Sequence, residues 1–251
     1  MSNIKNILVL IPMDELHKFR LEREDNTVNF IYKEPSTVTL KDIEIADIII
    51  GNPPIDMLKY AKNLKWLQLN SAGANEFTKE GVLPDGVLLT NATGAYGLAI
   101  AEHMIGMLLG ILKKLHIYRD NQRQNLWKDE GRVKSIYNST VLIVGLGDIG
   151  SEFAKIIKAM GGHTIGVKRR QASKPEFVDE LYLIDKLDEL LPKADVVALC
   201  LPSTKETDKL FDKEKLSIMK QGSVLINVGR GTSVDTNALC DSLENNHLLG
   251  A

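Results

Sequence analysis

The sequence predicts an α/β protein built on parallel sheets, and three observations carry that prediction. Short β-rich apolar runs alternate with helical patterns through both halves of the 251 residues, the arrangement that lays helices on the faces of a parallel sheet. A longer, mostly apolar helical stretch, Leu98–Leu115, separates the halves. In the second half an apolar run enters a glycine-rich turn that opens an amphipathic helix and leads to another strand, a strand–turn–helix–strand unit.

Taken in order, "NILVLIP" reads as a strand, "DELHKFRLER" as a helix, "ADIIIGN" as a strand, "PIDMLKYAKN" as a helix and "LKWLQLNSA" as a strand. Gly51, Pro53 and Pro54 stand where a buried strand breaks into a loop. The stretch Leu98–Leu115 is apolar on most of its circumference, which predicts a helix buried nearly all round, between two packed bodies. "YRDNQRQNLWKDEGRVKSIYNS" is polar and aperiodic and is expected to run irregularly over the surface. Val141–Val144 then forms a strand, and Phe153, Ile156, Ile157 and Met160 recur at i, i+3, i+4 and i+7, one face of a helix. "HTIGV", "ADVVALCLP" and "SVLINVG" are the later strands, and a new apolar segment begins at "HLLGA".

Composition narrows the function classes. Hydrophobic residues make up 44% and charged residues 25%, with a net charge of −2, so no global field recruits nucleic acid or a membrane surface. Lys168–Arg170 is a basic cluster too short for a nucleic-acid stripe. Cys200 and Cys240 sit in apolar contexts without CxxC spacing, which reads as buried reduced thiols and a cytoplasmic protein. The opening "MSNIKNILVL" runs straight into a strand and lacks the features of a secretion signal. Leu98–Leu112 is the longest apolar segment, is interrupted by Glu102 and His103, and is short for a bilayer. No His/Cys/Asp cluster has metal-ligand spacing. The G-x-S-x-G, Walker and H-E-x-x-H patterns are absent.

"GLGDIG" follows a strand and opens a helix, the context that turns a bare GxGxxG into a dinucleotide-binding signal. Gly145 is expected to make the tight turn, Gly147 to let the backbone approach a pyrophosphate, and Gly150 to let the helix pack on the strand. The N–H groups of Asp148, Ile149 and Gly150 would face the anion at the positive helix end. An NAD site usually carries Asp or Glu at the end of the second strand, where it accepts from the ribose hydroxyls. Here that strand ends "GVKRRQ", with Lys168, Arg169 and Arg170 in the acidic residue's neighbourhood. Such cations attract a 2′-phosphate, so NADP(H) is expected in preference to NAD(H).

These residues resemble the D-isomer-specific 2-hydroxyacid dehydrogenase family over nearly the whole chain. The resemblance rests on "LQLNSAGANEF", "NATGAYGLAIAEHMIGMLL", "LWKDEG" followed by "VLIVGLGDIG", "LCLPSTKETDKLF" and "MKQGSVLINVGRGTSVD". Glyoxylate/hydroxypyruvate reductases and phosphoglycerate-dehydrogenase-like members are the nearest in character. It implies a flavodoxin-like substrate domain over 1–97 and a Rossmann dinucleotide-binding domain over 98–251. The implied reaction is hydride transfer between a nicotinamide dinucleotide and a small 2-oxoacid or D-2-hydroxyacid, in a homodimer.

On this resemblance Arg230 holds the substrate carboxylate and polarises its carbonyl, a task its planar, permanently charged fork suits. The N–H groups around Ala72, Gly73 and Ala74 bind the same carboxylate. Pro202 and Thr207 line the adenosine side, and Val228 and Gly229 lie near the nicotinamide.

The family's acid/base is a histidine tuned by a glutamate, both coming after the arginine, and neither motif occurs in these residues. His247 is read as ending the helix after Arg230, where a cation meets the helix dipole, and His103 as a structural part of "AEH". His17, His116 and His163 are read as lacking a carboxylate partner nearby in sequence. The sequence is therefore expected to be part of a longer chain, whose C-terminal segment returns to the first domain, and residues 1–251 alone to turn over weakly or not at all. A dinucleotide-sensing protein without turnover is the alternative.

Overall fold

The computed structural model describes residues 5–24 and 27–251, so the reading of Met1–Ile4 lies outside the described residues. It comprises two compact units, Met1–Ala95 and Tyr96–Ala251.

The first unit contains β1 (Asn6–Val9), α1 (Glu15–Glu22), β2 (Asn29–Tyr32), α2 (Leu40–Ile45), β3 (Ile48–Ile50), a 3₁₀ turn at Ile55–Tyr60, β4 (Trp66–Gln68) and β5 (Leu88–Thr90). Every pairing is parallel and the sheet order is β2-β1-β3-β4-β5, the flavodoxin-like order. Its core gathers Leu8, Ile43, Ile49, Leu58, Leu67 and Leu69. Four elements differ from the sequence expectation, the unread helix α2 among them. Asn29–Tyr32 and Leu88–Thr90 are strands that alternation did not signal, because each is a short edge strand with little buried surface. Residues 55–60 wind as 3₁₀ rather than α, behind Pro54 and with no side-chain cap. Helix α2 begins on a capping box in which Thr39 Oγ1 accepts from Asp42 N–H and Asp42 Oδ2 accepts from Thr39 N–H.

The second unit contains α3 (Gly97–Leu112), α4 (Leu115–Arg123), β6 (Thr140–Val144), α5 (Asp148–Ala159), β7 (His163–Lys168), β8 (Glu180–Leu183), α6 (Leu187–Leu190), β9 (Val196–Leu199), α7 (Lys213–Ile218), β10 (Ser223–Asn227), α8 (Thr236–Glu244) and β11 (Leu248–Gly250). Its six-stranded parallel sheet is ordered β11-β10-β9-β6-β7-β8. Read from β8 with β6 counted first, that is 3-2-1-4-5-6, the doubly wound dinucleotide-binding order. Alternate residues of one strand serve opposite cores. Leu142 and Val144 join Phe211, Leu216 and Leu225 on one face, while Val141 and Ile143 join Met104, Phe153 and Ile157 on the other. Burial on both faces is why these strands read as unbroken apolar runs.

Two helical expectations are corrected. Helix α3 is not buried all round: Ala101, Met104, Leu108 and Leu112 form its buried stripe, whereas Leu98 and Met107 are more than half exposed. Within this unit α3 packs mainly on α5, with lesser contacts to α4 and β10, and this stripe is what those neighbours cover. The segment expected to be irregular begins with a helix, α4, set off from α3 by Lys114 in the left-handed region at φ 56°. The chain beyond α4 returns to it, since Asn121 Nδ2 donates to Glu130 Oε1 at 2.7 Å and Glu130 N–H to Tyr118 Oη at 3.2 Å.

Candidate functional site

Parallel strands send every following loop to the same edge. The loops after β6, β7, β9 and β10 therefore share the C-terminal edge of the second sheet, and they carry Gly145–Gly150, Lys168–Arg170, Leu201–Thr207 and Val228–Arg230. Strand β6 lies where the order reverses, the crevice in which open α/β sheets bind ligands.

The glycine turn has a distinct requirement at each position. Gly145 has φ +102°, and a Cβ there would lie 2.6 Å from Cys200 O at the end of β9. Gly150 sits so close to the strand end that a Cβ would lie 2.0 Å from Gly145 O. Gly147 is the opposite case. It is the N-cap of α5, gives no side-chain cap, and a Cβ there would meet nothing within 4 Å. An open approach above uncapped N–H groups of Asp148, Ile149 and Gly150 is a cradle that fits a phosphate. The Asp148 carboxylate is turned aside against Gly97, where an added Cβ would lie 2.4 Å from Oδ1.

The loop after β9 closes on Thr207, whose Oγ1 donates to Pro202 O at 2.7 Å and accepts from Thr204 N–H at 2.9 Å. After β10, Val228 N–H donates to Leu199 O at 3.1 Å, and a Cβ on Gly229 would lie 2.5 Å from Leu201 O. The loops after β9 and β10 are thus in backbone contact.

Arg230 is exposed and its guanidinium donates to Gly229 O at 3.0 Å. Its backbone is fixed on both sides. Asn227 Oδ1 accepts from Gly229 N–H at 3.0 Å and Asn227 Nδ2 donates to Arg230 O at 2.9 Å. Beyond it, Lys209 N–H donates to Thr232 O at 2.7 Å and Phe211 N–H to Ser233 O at 2.9 Å. The sequence reading missed Asn227, although its signal was present: an asparagine two residues before a glycine caps its own turn.

In the first unit, the turn Ala72–Ala74 follows β4. Its carbonyls are engaged: Asn91 Nδ2 donates to Ala72 O at 2.8 Å, Ser71 Oγ to Gly73 O at 2.9 Å, and Phe77 N–H to Ala74 O at 3.0 Å. Asn52 Nδ2 donates in turn to Ser71 Oγ at 3.1 Å. With the carbonyls so held, the turn has N–H groups to offer an anion. Ser71, Asn52 and Asn91 were not recognised in the sequence as its supports.

The histidines fall elsewhere. His163 begins β7, and His247 directly precedes β11, with Gly222 N–H donating to its carbonyl. Both lie at the N-terminal edge, roughly 15 Å across the sheet from Arg230 at about 3.3 Å per residue. The expectation for His247 is corrected: α8 ends at Glu244, and the ring faces Gln221 Oε1 at 3.0 Å. One histidine read as lacking a carboxylate nearby in sequence has one, His17, and another, His163, gains a distant one through the fold. His17 Nδ1 lies 2.6 Å from Asp14 Oδ1, and His163 Nε2 lies 2.7 Å from Glu180 Oε1, brought in by strand β8. Among the described residues no group of three or more His, Cys, Asp or Glu side chains could hold a metal ion, and no helix is long and apolar enough to cross a membrane.

The fold and the glycine cradle define a dinucleotide-binding α/β protein. Residues 105–251 match the family described as D-isomer specific 2-hydroxyacid dehydrogenase, NAD binding domain, and the chain belongs to that family, whose cofactor is a nicotinamide dinucleotide. A putative 2-hydroxyacid dehydrogenase of Haemophilus influenzae is 29% identical over 85% of this chain and 69% of its own length. The crystal structure of a D-isomer specific 2-hydroxyacid dehydrogenase family protein from Aeromonas salmonicida is similar with a TM-score of 0.87 at 28% identity, covering 98% of this chain and 79% of that one. D-lactate dehydrogenase of Aquifex aeolicus, solved with NAD and lactic acid, is similar with a TM-score of 0.79 at 25% identity, covering 98% and 75%.

Proposed function

We propose that the protein interconverts a small 2-oxoacid and a D-2-hydroxyacid, using NADP(H) in preference to NAD(H). When bound, the dinucleotide supplies or accepts hydride at nicotinamide C4. On this reading residues 1–97 form the substrate domain and 98–251 the dinucleotide-binding domain. The N–H groups of Asp148, Ile149 and Gly150 take the pyrophosphate, with Gly145 and Gly147 shaping the approach. Pro202 and Thr207 border the adenosine, Lys168–Arg170 attract the 2′-phosphate, and Val228 and Gly229 flank the nicotinamide.

Arg230 pairs with the substrate carboxylate and draws electron density from the carbonyl that receives hydride. The N–H groups of Ala72, Gly73 and Ala74 hold the same carboxylate. The observation that carries the reading is the double anchoring of Arg230 on the sheet edge that also bears the glycine cradle. A fixed, exposed guanidinium there suits bidentate carboxylate recognition.

Proton transfer needs a group near neutrality beside that carbonyl. Since His163 and His247 stand at the far edge of the sheet, a polypeptide of residues 1–251 is expected to bind dinucleotide but to turn over weakly. We further propose a homodimer in the cytoplasm. Leu98 and Met107 on α3, with Leu126 and Trp127 beyond α4, are among the exposed large apolar side chains that support it, and light scattering would report a mass near twice 27.9 kDa.

The decisive experiment is calorimetric titration with NADPH and NADH, followed by NADPH oxidation with hydroxypyruvate and glyoxylate. Arg230→Ala is expected to leave dinucleotide binding intact and abolish substrate-dependent oxidation. Binding of neither dinucleotide would overturn the proposal, and rapid turnover by residues 1–251 would overturn the view that these residues lack the acid/base.

A further inference from the structure

The turn after β4 has its peptide groups fixed one by one. A trans peptide is planar, with C=O and N–H on opposite sides, so whatever holds a carbonyl also aims the N–H of the next residue. Ser71 O accepts from Ala92 N–H at 3.1 Å, Ala72 O from Asn91 Nδ2 at 2.8 Å, and Gly73 O from Ser71 Oγ at 2.9 Å. The N–H groups in those planes belong to Ala72, Gly73 and Ala74 respectively. Among the described residues nothing accepts from them. Ala72 is exposed, and Gly73 and Ala74 are half-buried. Successive unspent N–H groups of this kind make a concavity for an anion.

The side chains that hold the carbonyls are themselves pinned. Thr93 N–H donates to Asn91 Oδ1 at 3.3 Å, and Asn70 N–H donates to Asn52 Oδ1 at 3.1 Å. A backbone N–H can only donate, so each contact settles which end of the amide is oxygen. The NH₂ of Asn91 therefore faces Ala72 O, and that of Asn52 faces Ser71 Oγ. A serine hydroxyl has a single proton. Because Asn52 Nδ2 donates to the Ser71 oxygen at 3.1 Å, that proton goes to Gly73 O. The chain of donors thus runs from Asn52 to Ser71 to Gly73, and it starts in the loop after the neighbouring strand β3.

We propose, resting on the substrate reading above, that Asn91, Ser71 and Asn52 are positioning residues, each tied to a particular N–H. Asn91 aims that of Gly73. Ser71 aims that of Ala74, and Asn52 sets the direction of the Ser71 hydroxyl. The N–H of Ala72 is aimed by backbone alone and needs no side chain. A peptide that loses its support can turn its carbonyl, the repulsive end of its dipole, toward the substrate carboxylate. The loss then falls on that one contact and leaves the neighbouring N–H groups in place.

The test uses the full 251-residue chain, labelled with ¹⁵N at alanine and glycine and titrated, with NADPH present, with oxamate, a 2-oxoacid isostere. In the wild type the amide signals of Ala72, Gly73 and Ala74 should all shift. Ser71→Ala should weaken oxamate about tenfold, the loss of one charge-assisted bond, and abolish the shift at Ala74 while keeping those at Ala72 and Gly73. Asn91→Ala should do the same at Gly73 alone. Asn52→Asp can still accept from Asn70 N–H but takes the Ser71 proton, so it should reproduce the loss at Ala74. Repulsion by its charge would instead act on all these amides and fade with salt. Ser71→Thr keeps the hydroxyl and should keep the Ala74 shift. Thermal melts and NADPH affinity near those of the wild type are the folding controls. Wild-type oxamate affinity in Ser71→Ala and Asn91→Ala, or loss of all the shifts together in a folded variant, would overturn the inference while sparing the substrate reading. No shift in the wild type would refute that reading itself.

Discussion

Replacing Gly147 by alanine should separate dinucleotide binding from stability. The residue has φ −87° and ψ −154°, an extended conformation open to alanine, and the added methyl meets no atom within 4 Å. The folded chain therefore loses only the small difference between glycine and alanine at an N-cap, about 0.5 kcal/mol, or roughly 2 °C in Tm for a unit of this size. The same methyl occupies the approach to the N–H groups of Asp148, Ile149 and Gly150. A phosphate kept from hydrogen-bonding distance should lose at least one charge-assisted bond, about 1.5 kcal/mol or more, which is roughly tenfold in Kd. Gly150→Ala should do the reverse. Helix propensity favours it by about 1 kcal/mol, but the Cβ would stand 2.0 Å from the backbone oxygen of Gly145, and relieving that overlap costs about 1–3 kcal/mol or more. Circular-dichroism melts and NADPH fluorescence titrations of both variants measure the two effects. Wild-type affinity in Gly147→Ala would refute the phosphate cradle, and a wild-type Tm in Gly150→Ala would refute the strand–helix contact.

Asn227→Ala removes both hydrogen bonds that hold the Arg230 turn; substrate KM should rise about tenfold at unchanged NADPH affinity, and a parallel loss of NADPH binding would show that the turn supports the cofactor instead. The Asp179 carboxyl is pushed up by burial but more strongly lowered by Lys158 and by the Thr164 N–H and hydroxyl, to about 2. Its contribution is thus present above the unfolded value near 3.9 and lost as pH falls through about 2; Asp179→Asn should cost about 1 kcal/mol at pH 7 after solvent screening and much less at pH 2, and a pH-independent difference in urea midpoints would contradict this. Burial pushes the Cys200 thiol up to about 12, whereas Cys240 is exposed. A thiol reagent at pH 8 should therefore modify Cys240 quickly and Cys200 only on unfolding, and two fast equivalents would show that Cys200 is accessible.

How far the sequence carried depended on whether a residue's neighbours were local. Strand β6 and helix α5 were legible because both core faces leave their mark on consecutive residues, and the three glycines announce contacts made within one turn. Edge strands β2, β5 and β8 were not, since an edge strand buries too little to need a pattern and owes its pairing to a distant partner. The circumference of α3 misled for a related reason: apolar residues permit burial without requiring it, and only Ala101, Met104, Leu108 and Leu112 use it within the unit. At the site, Arg230 stood out beside its glycines, while Asn52 and Asn91 gained meaning only when the fold brought them to the Ser71–Gly73 turn.

The same strand order brings residues scattered along the sequence to one edge of the second sheet. In a parallel sheet each crossover returns the chain to the opposite edge, so residues just after a strand and residues just before it are kept apart by the full strand length. Gly147, Thr207 and Arg230 all come after strands, whereas His163 and His247 start or precede them. Neither histidine can be recruited to the Arg230 edge by a loop movement, because each is tied where it stands, His163 to Glu180 and His247 to Gln221, by strands whose register would have to slip. If Arg230 holds a substrate carbonyl as proposed, neither of these two histidines can supply its proton from where it stands.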